Sequence, residues 1–247
     1  MPTRSGARTP VHARHEIKLT RESLADGSLR NWLAASNPEL KVWSDEQMQA
    51  SIADMLANRP DGAGDVWIFA YGSLIWNPII RTVEHRIADV RGFHRRFCLW
   101  THLGRGTAEC PGLMLALERG GSCRGLVYRI AEAEMPEELM LLWRREMVTG
   151  AYCPRWVKAA TPVGPVYAMA FAINAAHHRY AGRLPDAQIA ATIARAEGPL
   201  GRCCHYLFST VEHLHQLGIR DRHLEQLARQ VEGIQLGGAI EGKPPAG

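Results

Sequence analysis

The sequence predicts an α+β fold: a mixed, partly closed, barrel-like β-sheet flanked by helices, with helical extensions towards both ends of the chain. Three observations carry this. Short β-like runs, punctuated by Gly and Pro, recur between residues 66 and 173. A single clear helix interrupts them. Helical periodicity then takes over almost to the end of the chain. Many strands with one inserted helix, followed by a run of helices, lack the regular strand–helix alternation of a doubly wound sheet.

In chain order, residues 1–18 are basic but carry no apolar segment, and read as a disordered tail. Residues 19–60 read as a helical extension. There Ser44 and Gln47 match a capping box, and Met48, Ile52, Met55 and Leu56 recur at helical spacing. Asn58, Arg59 and Pro60 end that helix, and the turn-rich run Asp61-Gly62-Ala63-Gly64 opens the main domain, 61–236. Val66-Trp67-Ile68-Phe69-Ala70 is a continuous apolar run, as a buried strand requires. Further β-like runs follow near 97–100, 113–117, 126–130, 156–160 and 166–173. The interrupting helix spans about 134–147, with Pro136 acceptable in its first turn. Ile189 and Ile193 mark a helix that stops at Gly198-Pro199; two more cover 203–217 and 222–232, and 237–247 reads as a loose tail.

Composition bounds the function. The 247 residues suffice for one substantial core, and 46% apolar with 22% charged residues is ordinary for a soluble globular protein. A net charge of +4 suits an anionic small substrate but is too diffuse for nucleic acid, and no nucleic-acid motif appears. No apolar stretch approaches the ~20 residues needed to span a bilayer. The six cysteines form no CxxC pair and read as reduced thiols of a cytoplasmic protein, taken as a monomer.

One residue stands out by pattern alone. In Met135-Pro136-Glu137-Glu138-Leu139-Met140-Leu141-Leu142-Trp143-Arg144-Arg145-Glu146 the apolar face runs Leu139, Leu142, Trp143, and its next position is Glu146. Arg144 and Arg145 fall largely to other faces, so local pairing does not explain a carboxylate there. Desolvation raises a carboxyl pKa from about 4.3 and fits it to move protons near neutral pH. Two plainer readings stand beside this one: a buried glutamate satisfied by an arginine from elsewhere, or a helix rotated so that 146 is exposed.

Two loops are candidates for binding. Tyr71-Gly72-Ser73-Leu74 follows the first strand, where a glycine and successive exposed N–H groups can form an anion-binding concavity for an amino-acid carboxylate; an ordinary turn is the alternative. Gly104-Arg105-Gly106-Thr107 matches neither the P-loop nor the dinucleotide fingerprint. Its Arg105 either faces a substrate carboxylate or is a solvated loop residue.

Taken in order, Tyr71-Gly72-Ser73-Leu74-Ile75-Trp76-Asn77-Pro78, Gly92-Phe93-His94-Arg95, Arg105-Gly106-Thr107 and Arg145-Glu146-Met147-Val148-Thr149-Gly150-Ala151-Tyr152 resemble the ChaC family, over about residues 40–232 and closest to its bacterial branch. The resemblance implies a γ-glutamyl cyclotransferase-like mixed barrel and a glutathione-specific γ-glutamylcyclotransferase activity, releasing 5-oxoproline and cysteinylglycine. It implies that Tyr71, Gly72, Ser73 and Leu74 bind the γ-glutamyl moiety through backbone amides; Arg105 and Tyr152 are candidate further substrate contacts beside them. It makes Glu146 the acid–base residue, and implies no metal or organic cofactor. Leu113 stands after Pro111-Gly112 where an arginine is expected, so carboxylate recognition in that loop departs from the pattern. Tyr152 and Tyr206 have packing with a hydrogen-bonded hydroxyl as their alternative role.

Rival classes have less support. No local signature singles out a cysteine nucleophile, and no G-x-S-x-G elbow surrounds Ser73. His213 and His215 would lie roughly 200° apart on a helix and could not share a metal ion. A non-catalytic module that binds a γ-glutamyl ligand or a protein is the rival of another kind, and a carboxylate in an apolar stripe disfavours it.

Overall fold

A computed structural model describes residues 19–60, 62 and 64–241; the tail expected at 1–18 and residues 242–247 lie outside it. Its core is a five-stranded sheet. The strands are β1 (Val66–Ala70), β2 (Glu84–Thr101), β3 (Gly112–Ile130), β4 (Tyr152–Thr161) and β5 (Gly164–Ile173). They close into a barrel in the order β1-β3-β2-β4-β5. Two antiparallel hairpins supply most of it, β2–β3 from Glu84↔Arg129 to Thr101↔Gly112 and β4–β5 from Tyr152↔Ile173 to Thr161↔Gly164. β1 completes the circuit, antiparallel to β3 at Val66↔Ile130 and parallel to β5 at Trp67↔Ala168. Every residue of β1 is buried, which explains its uninterrupted apolar sequence.

The α+β expectation holds, and the sheet closes fully. Strand lengths differ from the sequence reading. The runs at 113–117 and 126–130 are two parts of the single strand β3, and the run at 97–100 is only the end of β2. Gly92, Gly120 and Gly121, which read as breaks, take positive φ values of 85°, 105° and 65° inside the continuous hairpin. The β2–β3 register shifts between Arg91 and Phe93, so the glycine there marks a bulge rather than a connection. Residues 84–96 escaped notice because this half of the hairpin is largely solvated and polar, with Ala88, Val90 and Arg95 buried among exposed neighbours.

Seven helices surround the barrel among the described residues: α1 (Arg21–Ala25), α2 (Ser28–Ser36), α3 (Asp45–Ala57), α4 (Met135–Glu146), α5 (Asp186–Arg195), α6 (Cys203–Gln216) and α7 (Arg222–Glu241). Helix α3 begins at the capping box expected for it, Gln47 N donating to Ser44 Oγ at 3.3 Å and Ser44 N to Gln47 Oε1 at 2.9 Å. Helix α5 ends before Gly198-Pro199, because Glu197–Gly198 and Gly201–Arg202 pair as a tiny hairpin. Helix α7 continues past Gly237, where a loose tail was expected.

Helix α4 is the element that places the site. Leu139, Leu142 and Trp143 are fully buried against the barrel, and the Trp143 ring meets Phe171 of β5 edge-on at 5.3 Å. Burial of each such side chain contributes about 1.5–3 kcal/mol. The N-terminal helices clasp the other side of α4. Arg21 makes a two-armed ion pair with the fully buried Glu138, at 2.6 Å to each oxygen, and Glu138 also accepts from Arg81 N at 3.0 Å. Arg144 reaches Asp45 at 2.6 Å and the Ala25 carbonyl at 2.7 Å. Trp43 N donates to Val148 O at 2.9 Å, just beyond the end of α4.

Glu138→Ala removes the carboxylate that accepts from Arg21 and from Arg81 N. We expect a loss of about 2–3 kcal/mol in urea unfolding, less than the roughly 3–5 kcal/mol for a fully buried pair, because Arg21 stays partly solvated. An unchanged unfolding midpoint would show that the clasp adds nothing to stability.

Candidate active site

The end of β1, the end of α4 and the start of β4 meet at one pocket. It is lined by Tyr71, Gly72, Ser73, Leu74, Leu115, Glu146, Tyr152, Phe171 and Tyr206. Counting its open mouth, it encloses about 280 Å³. The closed end is therefore narrow, and only the head of a small molecule enters it.

The turn after β1 is fixed from below. Arg95, buried in β2, donates from Nη1 to Tyr71 O at 2.9 Å and pairs through Nε with Asp221 at 3.2 Å. Ser73–Ile75 then forms a single 3₁₀ turn closed by Ile75 N to Gly72 O at 2.9 Å. As at any helix start, the first N–H groups have no intrahelical acceptor. Those of Ser73 and Leu74 donate to no protein acceptor among the described residues. Two successive unpaired N–H groups are what an anion cradle at Tyr71-Gly72-Ser73-Leu74 requires. Gly72 keeps it open: a Cβ there would stand 3.1 Å from the Tyr206 hydroxyl and 3.7 Å from Leu115.

Glu146 is the last residue of α4, and its side chain is only 14% exposed. Burial drives its carboxyl pKa up from the usual 4.5, and the adjacent Arg145 guanidinium only partly offsets this. That pairing corrects the expectation that local pairing plays no part. Arg145 Nε lies 3.0 Å from Glu146 Oε1, its Nη2 donates to Ser73 Oγ at 2.8 Å and its Nη1 to Asn77 O at 2.5 Å. Residue 145 does leave α4 on another face, but the long side chain of a residue in the last turn folds around the helix end. Arg145 thus ties the carboxylate to the cradle turn. The satisfying arginine is a chain neighbour rather than a distant one, and the helix is not rotated to expose position 146.

The tyrosines form the walls. Tyr71 donates its hydroxyl to Phe171 O at 2.7 Å and Tyr152 to Leu115 O at 2.9 Å, so both present rings to the pocket while their hydroxyls are engaged. Burial, with Tyr152 and Glu146 beside it, holds the Tyr71 phenol well above its ordinary pKa, and burial pushes Tyr206 up to about 12. All three are neutral. Tyr206, left open by the sequence, stands over Gly72 and packs edge-on against Phe97 and Trp76. Arg105 does not line the closed end. Its guanidinium lies 5.5 Å from the Tyr206 ring centroid and donates to Arg202 O at 3.1 Å, on the outer side of that wall. Leu113, in the arginine position of the pattern, is fully buried in β3.

Sequence reasoning missed Arg145, Leu115 and Phe171. The last two are core strand residues without any polar signal. None of the described residues forms a cluster of three or more His, Cys, Asp or Glu suited to a metal. No cysteine lines the pocket, and burial lifts the Cys98 thiol to about 12 and Cys203 to about 11. Among the described residues no helix is long and apolar enough to cross a membrane.

Residues 66–234 match the family model described as ChaC-like protein. The Escherichia coli (strain K12) protein named glutathione-specific gamma-glutamylcyclotransferase is 43% identical over 217 residues, 87% of this chain and 93% of its own length. The Mus musculus glutathione-specific gamma-glutamylcyclotransferase 1 is 32% identical over 180 residues, 69% of this chain and 81% of its own. Among solved structures, a yeast gamma-glutamyl cyclotransferase specific to glutathione superposes with a TM-score of 0.65 at 20% identity, over 69% of this chain and 97% of that one. That likeness shows the fold.

Two outcomes follow from the geometry. Gly72→Val should fill the space under Tyr206 and abolish ligand binding while the circular dichroism spectrum stays unchanged; a folded variant with normal binding would remove the cradle from the site. For Glu146, a folded-state pKa above the unfolded value means that its charged form costs stability at neutral pH, and the cost fades as pH falls through the folded pKa towards 4.5. Glu146→Gln should therefore melt higher than the wild type at pH 7, the gap narrowing towards pH 4.5. A lower melting point at pH 7 would mean that the ion pair outweighs desolvation.

Proposed function

Because this chain belongs to the ChaC family, we propose that it is a glutathione-specific γ-glutamylcyclotransferase, cleaving glutathione to 5-oxoproline and cysteinylglycine. The observation that carries the reading is a desolvated carboxylate facing an N–H cradle across a pocket that admits only the head of a small molecule.

The cradle of Gly72, Ser73 and Leu74 receives the glutamyl α-carboxylate, with Arg105 contributing positive charge from behind Tyr206. Tyr71 and Tyr152 hold the methylene chain folded between their rings. Glu146, as carboxylate, takes a proton from the α-ammonium group. The freed amine attacks the γ-carbonyl carbon of the same residue, and a C–N bond forms to close the five-membered lactam. The old amide C–N bond breaks as Glu146 returns that proton to the leaving nitrogen. The carboxylate so regenerated takes the second proton from the ring nitrogen and passes it to the released amine, leaving a neutral lactam and cysteinylglycine as its ammonium. No water is consumed and no covalent enzyme intermediate forms, because the substrate carries its own nucleophile.

The enzyme's main contribution is then positional. Holding amine and carbonyl together is worth up to roughly 7–11 kcal/mol in the best model reactions. Proton transfer by a placed group adds about 10²–10⁴-fold. A raised Glu146 pKa keeps the proton exchangeable in both directions, as a single acid–base residue requires.

This reading uses no metal or organic cofactor and no macromolecular partner. It assigns the chemistry to residues 61–236, with 19–60 as a supporting extension, in a monomeric cytoplasmic enzyme whose thiols stay reduced.

Purified protein incubated with glutathione should release 5-oxoproline and cysteinylglycine in equal amounts, as read by mass spectrometry. Glu146→Gln should lose at least about 10²-fold of that turnover, and γ-glutamyl-alanine should be a much poorer substrate. Substantial turnover by a folded Glu146→Gln protein would rule out the acid–base role. Glutathione bound but unchanged by the wild type would favour the non-catalytic binding module.

A further inference from the structure

The pocket is flanked by a second arginine that the mechanism leaves unused. Arg179 lies in the segment after β5, hydrogen-bonded along the end of β2 by Trp100 N to Arg179 O at 2.9 Å and Ala181 N to Cys98 O at 2.8 Å. Its Nη2 donates to Thr149 Oγ1 at 3.1 Å, in the turn that joins Glu146 to Tyr152. Its charge acts on Tyr152, whose ring lines the catalytic pocket.

Among the described residues Arg179 has no carboxylate partner, and its buried Nε donates to nothing. An orphaned buried N–H is costly, and native proteins retain few of them. The neighbours do not cancel its charge. Burial, with Arg179 beside them, holds the pKa values of His102 and His177 below the ordinary 6.5. His177 accepts from Arg179 N at Nδ1, 3.2 Å, so its proton sits on Nε2 and is donated to Thr149 O at 3.1 Å. That fixes a neutral tautomer which braces the turn. The adjoining cavity is lined by Lys41, His177 and His178, with Glu39 as its one carboxylate among the described lining residues.

Arg105 thus stands behind Tyr206, and Arg179 holds the turn that leads from Glu146 into Tyr152, so each adjoins a wall of the pocket. Arg145 is spent on Glu146.

We propose that Arg179 is the subsite for the carboxylate at the far end of a γ-glutamyl peptide, the glycyl carboxylate when the substrate is glutathione. This inference rests on the reading of the substrate as glutathione. A γ-glutamyl substrate of this length carries two carboxylates: the cradle takes one, and a guanidinium whose Nη1 has no protein partner among the described residues suits the other. A specificity for peptides over γ-glutamylamines follows, since an amine leaving group has no carboxylate to bind.

The test separates this subsite from the chemistry. In the Glu146→Gln background, where the ligand survives, calorimetry compares glutathione with its glycyl ethyl ester. Glutathione should bind roughly tenfold to a hundredfold more tightly than the ester, the range expected for one charge-assisted contact. Adding Arg179→Met should lower glutathione to the affinity of the ester and leave the ester unchanged, while Arg179→Lys retains part of the preference. Equal affinities for the two ligands with Arg179 intact would overturn the subsite without recourse to any variant. So would an equal loss for both ligands in Arg179→Met, which marks a structural role. A carboxylate-dependent preference in a protein whose wild type releases no 5-oxoproline would keep the subsite and reject the proposed reaction.

Discussion

The constraint on which the rest depends is a carboxylate kept out of water at the end of a helix. Helix α4 is committed to the barrel by Leu139, Leu142 and Trp143, and this commitment carries Glu146 inward with them. Within the helix, Arg145 offsets that burial only in part, and its remaining donors are anchored to Ser73 and Asn77. The same guanidinium that tempers the carboxylate therefore fixes its distance from the turn after β1. Charge compensation and site geometry are one interaction.

From there the wider architecture has a clear purpose. Closing the barrel brings the end of β1 against β5, so that Tyr71 reaches the Phe171 carbonyl. Arg95 pins the Tyr71 carbonyl from β2. The N-terminal helices contribute no residue to the pocket lining, yet they grip α4 through Glu138 and Arg144 and hold the chain after it through Trp43. A helix end that must stay within a few tenths of an ångström of its partners benefits from being held on both sides.

The fold and the site were legible in the sequence to different depths. Buried strands such as β1 announce themselves, and α3 was visible down to its capping box. The long β2–β3 hairpin was not, because its solvated half carries little apolar signal and its positive-φ glycines imitate loop breaks. At the site, Glu146 was visible as a violation of an apolar stripe, and the Tyr71-Gly72-Ser73-Leu74 turn by its position after a strand. Arg145 was misjudged because a helical wheel assigns directions to Cβ atoms, whereas an arginine at a helix end reaches well past its own face. Arg179 was invisible for a different reason. Its significance lies in what surrounds it, and no local pattern encodes the lack of a counter-charge.

The measurement that bears most directly on this constraint is an infrared titration of the Glu146 carboxyl, taken as the difference between wild type and Glu146→Gln with ¹³C-labelled glutamate. The protonated C=O band of Glu146 should persist at pH values above the ordinary 4.5, since burial outweighs the pull of Arg145. A band already lost at or below that value would mean that the ion pair dominates, leaving Glu146 a structural anion rather than a proton carrier.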